Sequence, residues 1–247
     1  MNSEWIAGKN PVLEALRAKQ PIHKIWLAKQ VNRTRMNEVI YLARQRKIAL
    51  QEVPRQKLDR LTAGFSHQGV VAFVPAYAYA SLEELFNRAA NRKEDPFFII
   101  LDHLEDPHNF GSILRTADAA GVHGVIIPKR RSAGVTQTVV KTSAGAVQYV
   151  PVARVSNLAQ TMDDLKTRGI WIFGTDIGAP DDYRQADFNL PLTIVIGNEG
   201  KGMSRIVREK CDFLLRLPSV GQVSSLNASV AAALIMYEVY RQRHPVA

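Results

Sequence analysis

From residue 96 onward, short apolar runs alternate with segments of helical periodicity, and no other feature of the sequence constrains the fold so tightly. The runs are "FFIIL", "GVIIP", "YVPVARV", "IWIFGTD", "TIVIG" and "FLLRLP". Between them stand "GSILRTADAAG", "TQTVVKTSAGAV", "NLAQTMDDLKTRG" and "MSRIVREKC", and a long final helix is expected from about Ser225. Runs this short and continuously apolar suit strands buried on both faces, with the helices as cover, so the fold class is α/β with a mostly parallel sheet. In such sheets ligands sit at the carboxyl ends of the strands, where loops collect.

The first 75 residues read as a smaller α/β unit. Asn10 and Pro11 read as N-cap and first helical residue before "VLEALRAK". "HKIWLA", "IALQEV" and "GVVAFV" read as strands, and "TRMNEVIYLARQRK" and "RQKLDRLT" as helices. Pro75 and "AYAYA" have linker composition, and Ser81 with Glu84 gives a capping-box signal for "LEELFNRAAN". The expected organisation is a front domain over 1–75, a linker and connecting helix over 76–95, and a second domain over 96–247.

Composition narrows the class. An apolar content of 46% is ample for a core. A single cysteine, Cys211, excludes an intramolecular disulfide and any Cys-rich metal site and fits a reducing compartment. No basic stretch followed by an apolar core marks a secretory signal, and no run reaches the roughly 18 apolar residues of a membrane helix. A cytoplasmic protein without a membrane partner is expected. The net charge of +9 suggests a polyanion, and its distribution is uneven. Residues 1–75 hold 13 Lys and Arg against 5 Asp and Glu, whereas residues 76–247 hold 19 against 18. The front third therefore supplies most of any sequence-independent grip on phosphates.

Three loops of the second series carry the unusual residues. "TIVIGNEGKGMS" holds Gly197, Gly200 and Gly202 around Glu199. Its G-x-x-G-x-G order is not the dinucleotide fingerprint, and Lys201 precedes Gly202 rather than Ser or Thr, so it is not a P-loop. A carboxylate there would also repel a polyphosphate. "LDHLEDPHNFGSILRTADAAG" carries Asn109 and reads as a helix opening at Gly111, with Arg115 either aimed at the cleft or paired with Asp118. His103 and His108 lack further metal ligands nearby and read as solvated loop residues. "LPSVGQVSSLNASVAAALIMYE" places Ser224, Ser225 and Asn227 before the last helix, where one such residue would serve as N-cap.

Together these loops resemble the three motifs of the SpoU (TrmH-type) branch of SPOUT RNA methyltransferases. Asn109, Gly111 and Arg115 match N-x-G-x-x-x-R; Gly197 to Gly202 match G-N-E-G-x-G; Leu217 to Asn227 match L-P-x-x-G-x-x-S-S-L-N. "IAGKNPVLEALRAKQPIHKIWLA" and "SHQGVVAFV" resemble the L30e-like substrate-binding domain fused to many members. The resemblance implies a SPOUT α/β knot, with a deep C-terminal trefoil knot, behind an L30e-like domain. It implies S-adenosylmethionine as methyl donor, no metal, and a homodimer. Cofactor binding would fall to Gly197, Leu217 and Leu226, with Thr175 and Gly174; Gly197 would keep a side chain out of the cofactor's space. The catalytic set would be Arg115, Asn109, Glu199, Ser225 and Asn227. A guanidinium stays protonated, so Arg115 is expected to hold geometry while Glu199 or a substrate phosphate takes the proton.

The two-domain arrangement resembles the bacterial enzymes that 2′-O-methylate a guanosine of 23S rRNA, so RNA and not DNA is the expected partner. The alternatives are a tRNA guanosine 2′-O-methyltransferase, a non-catalytic RNA-binding module, and a nucleotide-dependent oxidoreductase, which the glycine order disfavours.

Overall fold

The computed structural model describes residues 3–75, 77–222 and 225–246; Ser224 of the third loop lies outside them. In chain order the front elements are β1 (Ser3–Ala7), α1 (Lys9–Arg17), β2 (Lys24–Ala28), α2 (Arg33–Gln45), β3 (Ala49–Val53), α3 (Arg55–Thr62) and β4 (Val70–Pro75). There follow α4 (Leu82–Arg92), β5 (Phe97–Leu101), α5 (Pro107–Ala119), β6 (Gly124–Pro128), α6 (Gln137–Thr142), β7 (Val152–Val155), α7 (Leu158–Thr167) and β8 (Trp171–Thr175). The chain ends with β9 (Asp181–Asp182), β10 (Leu192–Ile196), α8 (Arg205–Glu209), β11 (Phe213–Arg216) and α9 (Ala228–Arg243). Two compact units emerge: Met1–Ala78 with Val135–Tyr149, and Tyr79–Gly134 with Val150–Ala247.

The front unit is a four-stranded mixed sheet in the order β1-β4-β2-β3. Strand β4 runs antiparallel to β1 and β2, and β2 runs parallel to β3. Strand β1 was not expected; it is a short edge strand that pairs with β4, about seventy residues away. Helix α1 starts at Lys9, with Gly8 as N-cap at φ 101°, not at Asn10. A left-handed Gly8 brings the chain off β1 straight into the helix, so Asn10 has no cap to make. Residues 135–149 group with this unit although they fall in the middle of the second series; Tyr149 donates its hydroxyl to Glu14 Oε2 at 3.2 Å.

The rear unit is a seven-stranded sheet in the order β7-β6-β5-β10-β8-β11-β9, with every pairing parallel. Strands β5, β6 and β10 are buried throughout, as their unbroken apolar sequences require. The chain lays β5, β6 and β7 in one direction, starts again with β8 on the other side, and later slots β10 between β5 and β8. Ligands bind beyond the carboxyl ends of the strands at such a reversal. Ile196 stands in register with Leu101, and Val195 with Gly174, so the loops after β5, β10 and β8 leave side by side.

Candidate active site

Two helix starts differ from the sequence reading, and both move site residues. Helix α5 begins at Pro107, capped by Asp106, whose side chain accepts the His108 N–H at 2.9 Å. The Asp-Pro pair is a start signal, and it outranks the glycine at 111. Asn109 therefore lies inside the first turn and is buried, at 7% exposure. Helix α9 begins at Ala228 with Asn227 as N-cap, its Oδ1 accepting the Ser229 and Val230 N–H groups at 2.9 and 3.4 Å.

Capping uses only the oxygen of Asn227. Its Nδ2 donates to Asn109 Oδ1 at 3.0 Å, and Asn109 Nδ2 donates to Glu199 Oε1 at 2.8 Å. One residue from each of the three loops thus forms a continuous hydrogen-bonded chain, from a capped helix to an exposed carboxylate. Glu199 Oε2 is left without a hydrogen bond among the described residues.

The glycine-rich loop closes on itself. Asn198 and Gly202 exchange two backbone hydrogen bonds of 2.9 Å, and Asn198 Oδ1 accepts the Gly200 and Lys201 N–H groups at 3.0 and 3.3 Å. A Cβ on Gly197 would lie 2.3 Å from the Gly202 carbonyl carbon and 2.4 Å from the Met203 nitrogen. Glycine at 197 is therefore demanded first by the loop's own backbone, a reason the sequence reading, which invoked the cofactor, did not contain. The loop is also tied from β5: buried Asp102 accepts the Ser204 N–H at 2.6 Å and pairs with His103 Nδ1. Asn198 Nδ2 in turn donates to the His103 carbonyl at 2.9 Å. His103 is thus part of the clasp while its side chain stays 37% exposed, and His108 is exposed. Asp102 and Asn198 were missed; their only signal was a polar residue directly after a buried strand.

Beside this loop lies a cavity of about 460 Å³. Ile196, Leu217, Leu226, Ala228 and Ala231 give it an apolar side, and Thr175, Gly197, Glu199 and Ser225 also line it. Asp176 lines it too; a hydrogen bond from Arg208 holds its carboxyl below the usual carboxylate range, so it stays ionised. Gly174 does not line the cavity. A Cβ there would meet Cys211 Sγ at 2.7 Å and Met203 Cε at 2.8 Å, so this position serves strand packing. Burial pushes the Cys211 thiol up to about 12, which makes it inert.

Arg115 stands apart from these groups. It is exposed on α5, and no ion pair or hydrogen bond holds its guanidinium among the described residues. Asp118, the partner in one of the two readings of Arg115, has Arg88 and Arg92 as its charged neighbours instead. No group of three or more His, Cys, Asp or Glu is placed to hold a metal among the described residues. None of their helices is long and apolar enough to cross a membrane.

Comparison with known proteins identifies the family. The profile of the SpoU rRNA Methylase family matches residues 96–237, and that of RNA 2′-O ribose methyltransferase substrate binding matches residues 5–80. YacO of Bacillus subtilis, named for the TrmH family of tRNA/rRNA methyltransferases, is 56% identical over 243 residues, covering 98% of this chain and 97% of its own. The SpoU methyltransferase AviRb of Streptomyces viridochromogenes, solved with AdoMet, superposes with a TM-score of 0.85 at 29% identity, over 98% of this chain and 90% of its own. The AdoMet-bound rRNA methyltransferase of Sinorhizobium meliloti gives a TM-score of 0.78 at 26% identity, over 99% and 88%.

Proposed function

The chain belongs to the SpoU rRNA methylase family and is an S-adenosylmethionine-dependent RNA 2′-O-ribose methyltransferase, and from that premise we propose that its target is a guanosine of 23S rRNA in the cytoplasm. The observation that carries the site assignment is the Glu199–Asn109–Asn227 chain, which joins all three loops at the cavity edge. The rRNA target draws support from the front unit's match to a substrate-binding profile and from the rRNA methyltransferase that aligns with 99% of the chain.

The cavity fits the cofactor. Its volume lies in the usual range for small-molecule sites, its apolar side suits an adenine, and the Glu199 carboxylate suits a cationic centre, the charge of Asp176 being already matched by Arg208. Gly197, Leu217, Leu226 and Thr175 would hold the cofactor, while Gly174 supports them from the strand behind. When bound, S-adenosylmethionine supplies a methyl group on a positively charged sulfur that is a good leaving group. The chain's own task is to hold the ribose 2′-hydroxyl in line and to receive its proton; such positioning carries much of the rate. Glu199 is oriented for this by Asn109, which is fixed by Asn227, and its second oxygen has no competing donor among the described residues. Ser225, on the cavity wall, contributes a hydroxyl toward the ribose.

Arg115 is the one proposed catalytic residue that a single chain leaves outside this set, and a homodimer accounts for it. Helix α9 packs on α5 yet exposes Val230 (47%), Leu234 (42%) and Tyr237 (50%) at helical spacing. A second copy docked over this stripe would bring Arg115 to a shared site. Arg115→Ala mixed with Glu199→Gln should then regain activity that neither variant has alone, and light scattering should read a dimer. A deep trefoil knot in the rear unit completes the proposal.

The direct test is to incubate the protein with S-adenosylmethionine and unmodified 23S rRNA or total tRNA, then map 2′-O-methyls by resistance to alkaline cleavage. An rRNA guanosine protected by wild type and not by Arg115→Ala is the expected result. Protection in tRNA alone would move the target; protection in neither would overturn the proposed substrate.

A further inference from the structure

The front unit carries a feature that the site chemistry does not use. Strand register places Trp5 opposite Phe73, Phe73 opposite Lys24, and Trp26 between Val71 and Gln51. Directly opposed residues share a face, and so do residues two apart on one strand, so Trp5, Phe73, Lys24 and Trp26 project from the same side of the sheet. Helix α3 covers the end of this face at Ala28, Val53 and Leu58, and leaves the rings of Trp5, Trp26 and Phe73 partly exposed. Phe73 meets Trp26 edge-on at 4.6 Å between centroids, and Trp26 Nε1 donates to Gln51 Oε1 at 2.8 Å, so the indole is fixed in its plane. Two ammonium groups lie over these rings: Lys57 Nζ at 4.3 Å from Trp26, and Lys24 Nζ at 4.8 Å from Phe73 and 5.2 Å from Trp26. Neither lysine has a carboxylate partner among the described residues.

We infer that this face is a stacking platform for an unpaired nucleotide of the RNA substrate, with Trp26 and Phe73 receiving the base and Lys24 and Lys57 its flanking phosphates. The inference rests on the reading of the chain as an RNA methyltransferase and adds where the front unit takes hold. A half-covered sheet face with locked aromatic rings offers π-surface to any base, and single-stranded RNA is what can splay a base onto it. Lys57 is exposed and Lys24 half-buried, and the attraction of each ammonium to the rings is weaker than base stacking. An arriving base can therefore displace them, and each ammonium has only to swing to the adjacent phosphate. Charge favours the same partner: residues 1–75 carry a surplus of 8 positive charges, 13 against 5.

The test uses the full chain with Trp5 and Trp171 changed to Phe, which leaves Trp26 as the sole tryptophan of the three. Oligoadenylate should quench its emission saturably, while a blunt RNA duplex at equal phosphate concentration should not. Trp26→Leu should weaken retention of oligoadenylate on a filter roughly tenfold, and Lys24→Ala with Lys57→Ala should flatten the dependence of affinity on salt. Oligoadenylate retained without quenching, or duplex quenching as strongly, would overturn the platform. Methylation of rRNA by the same protein is scored separately: methylation without quenching removes only the platform, and quenching without methylation removes only the proposed substrate reading.

Discussion

The four-stranded sheet of the front unit shows side chains from a face, whereas the seven-stranded sheet of the rear unit is covered on its faces and has its cavity at its strand ends. The first is mixed in direction, ends in the edge strands β1 and β3, and carries nearly all the surplus charge. The second is wholly parallel, nearly neutral, and holds its polar groups at a reversal of strand order. The difference separates two tasks. A long polyanion is gripped by a broad basic surface, while a small cofactor and one hydroxyl need a cavity lined by a few fixed groups. Changes at the strand ends should therefore abolish turnover and spare RNA retention, and changes on the front face should do the reverse.

The sharpest way to break this comparison is Glu199→Gln. The substitution keeps the hydrogen bond from Asn109 and removes the proposed proton acceptor, so turnover should fall roughly 10²- to 10⁴-fold. S-adenosylhomocysteine binding by calorimetry and RNA retention should stay within a few-fold of wild type. A pH–rate profile with the same shape in wild type and variant would assign the proton to another acceptor.

Gly197→Ala comes next. Its Cβ would strike the Gly202 and Met203 backbone, so the loop must shift by a substantial part of an ångström. Misplacement on that scale costs about 10²-fold in rate, and here cofactor affinity should fall with it, unlike in Glu199→Gln. Single-turnover rates over a range of cofactor concentration separate the two. Asp102→Ala should act on the same loop more gently. It strands the Ser204 N–H at a cost of about 1–3 kcal/mol, read as a lower melting midpoint with a weaker cofactor.

How much of this was legible in the sequence follows from how local each signal is. The apolar runs that became β5, β6 and β10 could be read residue by residue, because burial on both faces leaves no other composition. The three loops were legible as motifs, and the structure joins Asn109, Glu199 and Asn227 by hydrogen bonds. The insertion of β10 between β5 and β8 was not legible, since strand order is set by long-range packing with no local mark. Nor was the grouping of Val135–Tyr149 with the front unit. Asp102 was passed over because a single carboxylate after a strand looks like any loop residue until its partner, about a hundred residues on, is in place. Gly197 was singled out for the cofactor's sake, and the demand of the loop's own backbone went unseen, because periodicity cannot show that a loop doubles back onto its own start.

The smallest expected effect tests the opposite end of the rear sheet. His123 lies just before β6, where its Nδ1 accepts the Phe97 N–H at 3.0 Å and its Nε2 bonds Glu94 at 2.9 Å. The ring must be neutral at Nδ1 to accept, and burial lowers its pKa below the ordinary 6.5, outweighing the opposing pull of Glu94; Arg92 and Arg243 reinforce the lowering. Below 6.5 the unfolded chain therefore takes up a proton that the folded chain refuses. Stability from this group is complete above pH 6.5 and is lost as the pH falls through the window beneath it, with a slope no steeper than about 1.4 kcal/mol per pH unit for one proton. His123→Gln, which keeps an acceptor and cannot titrate, should flatten the slope in urea melts below pH 6.5. If the two units unfold in separate steps, the slope belongs to the rear step alone, and RNA retention by the front unit should not change. A slope that survives the substitution would place the acid sensitivity elsewhere in the chain, and a slope in the front step would mean that the two sheets do not keep their stabilities apart.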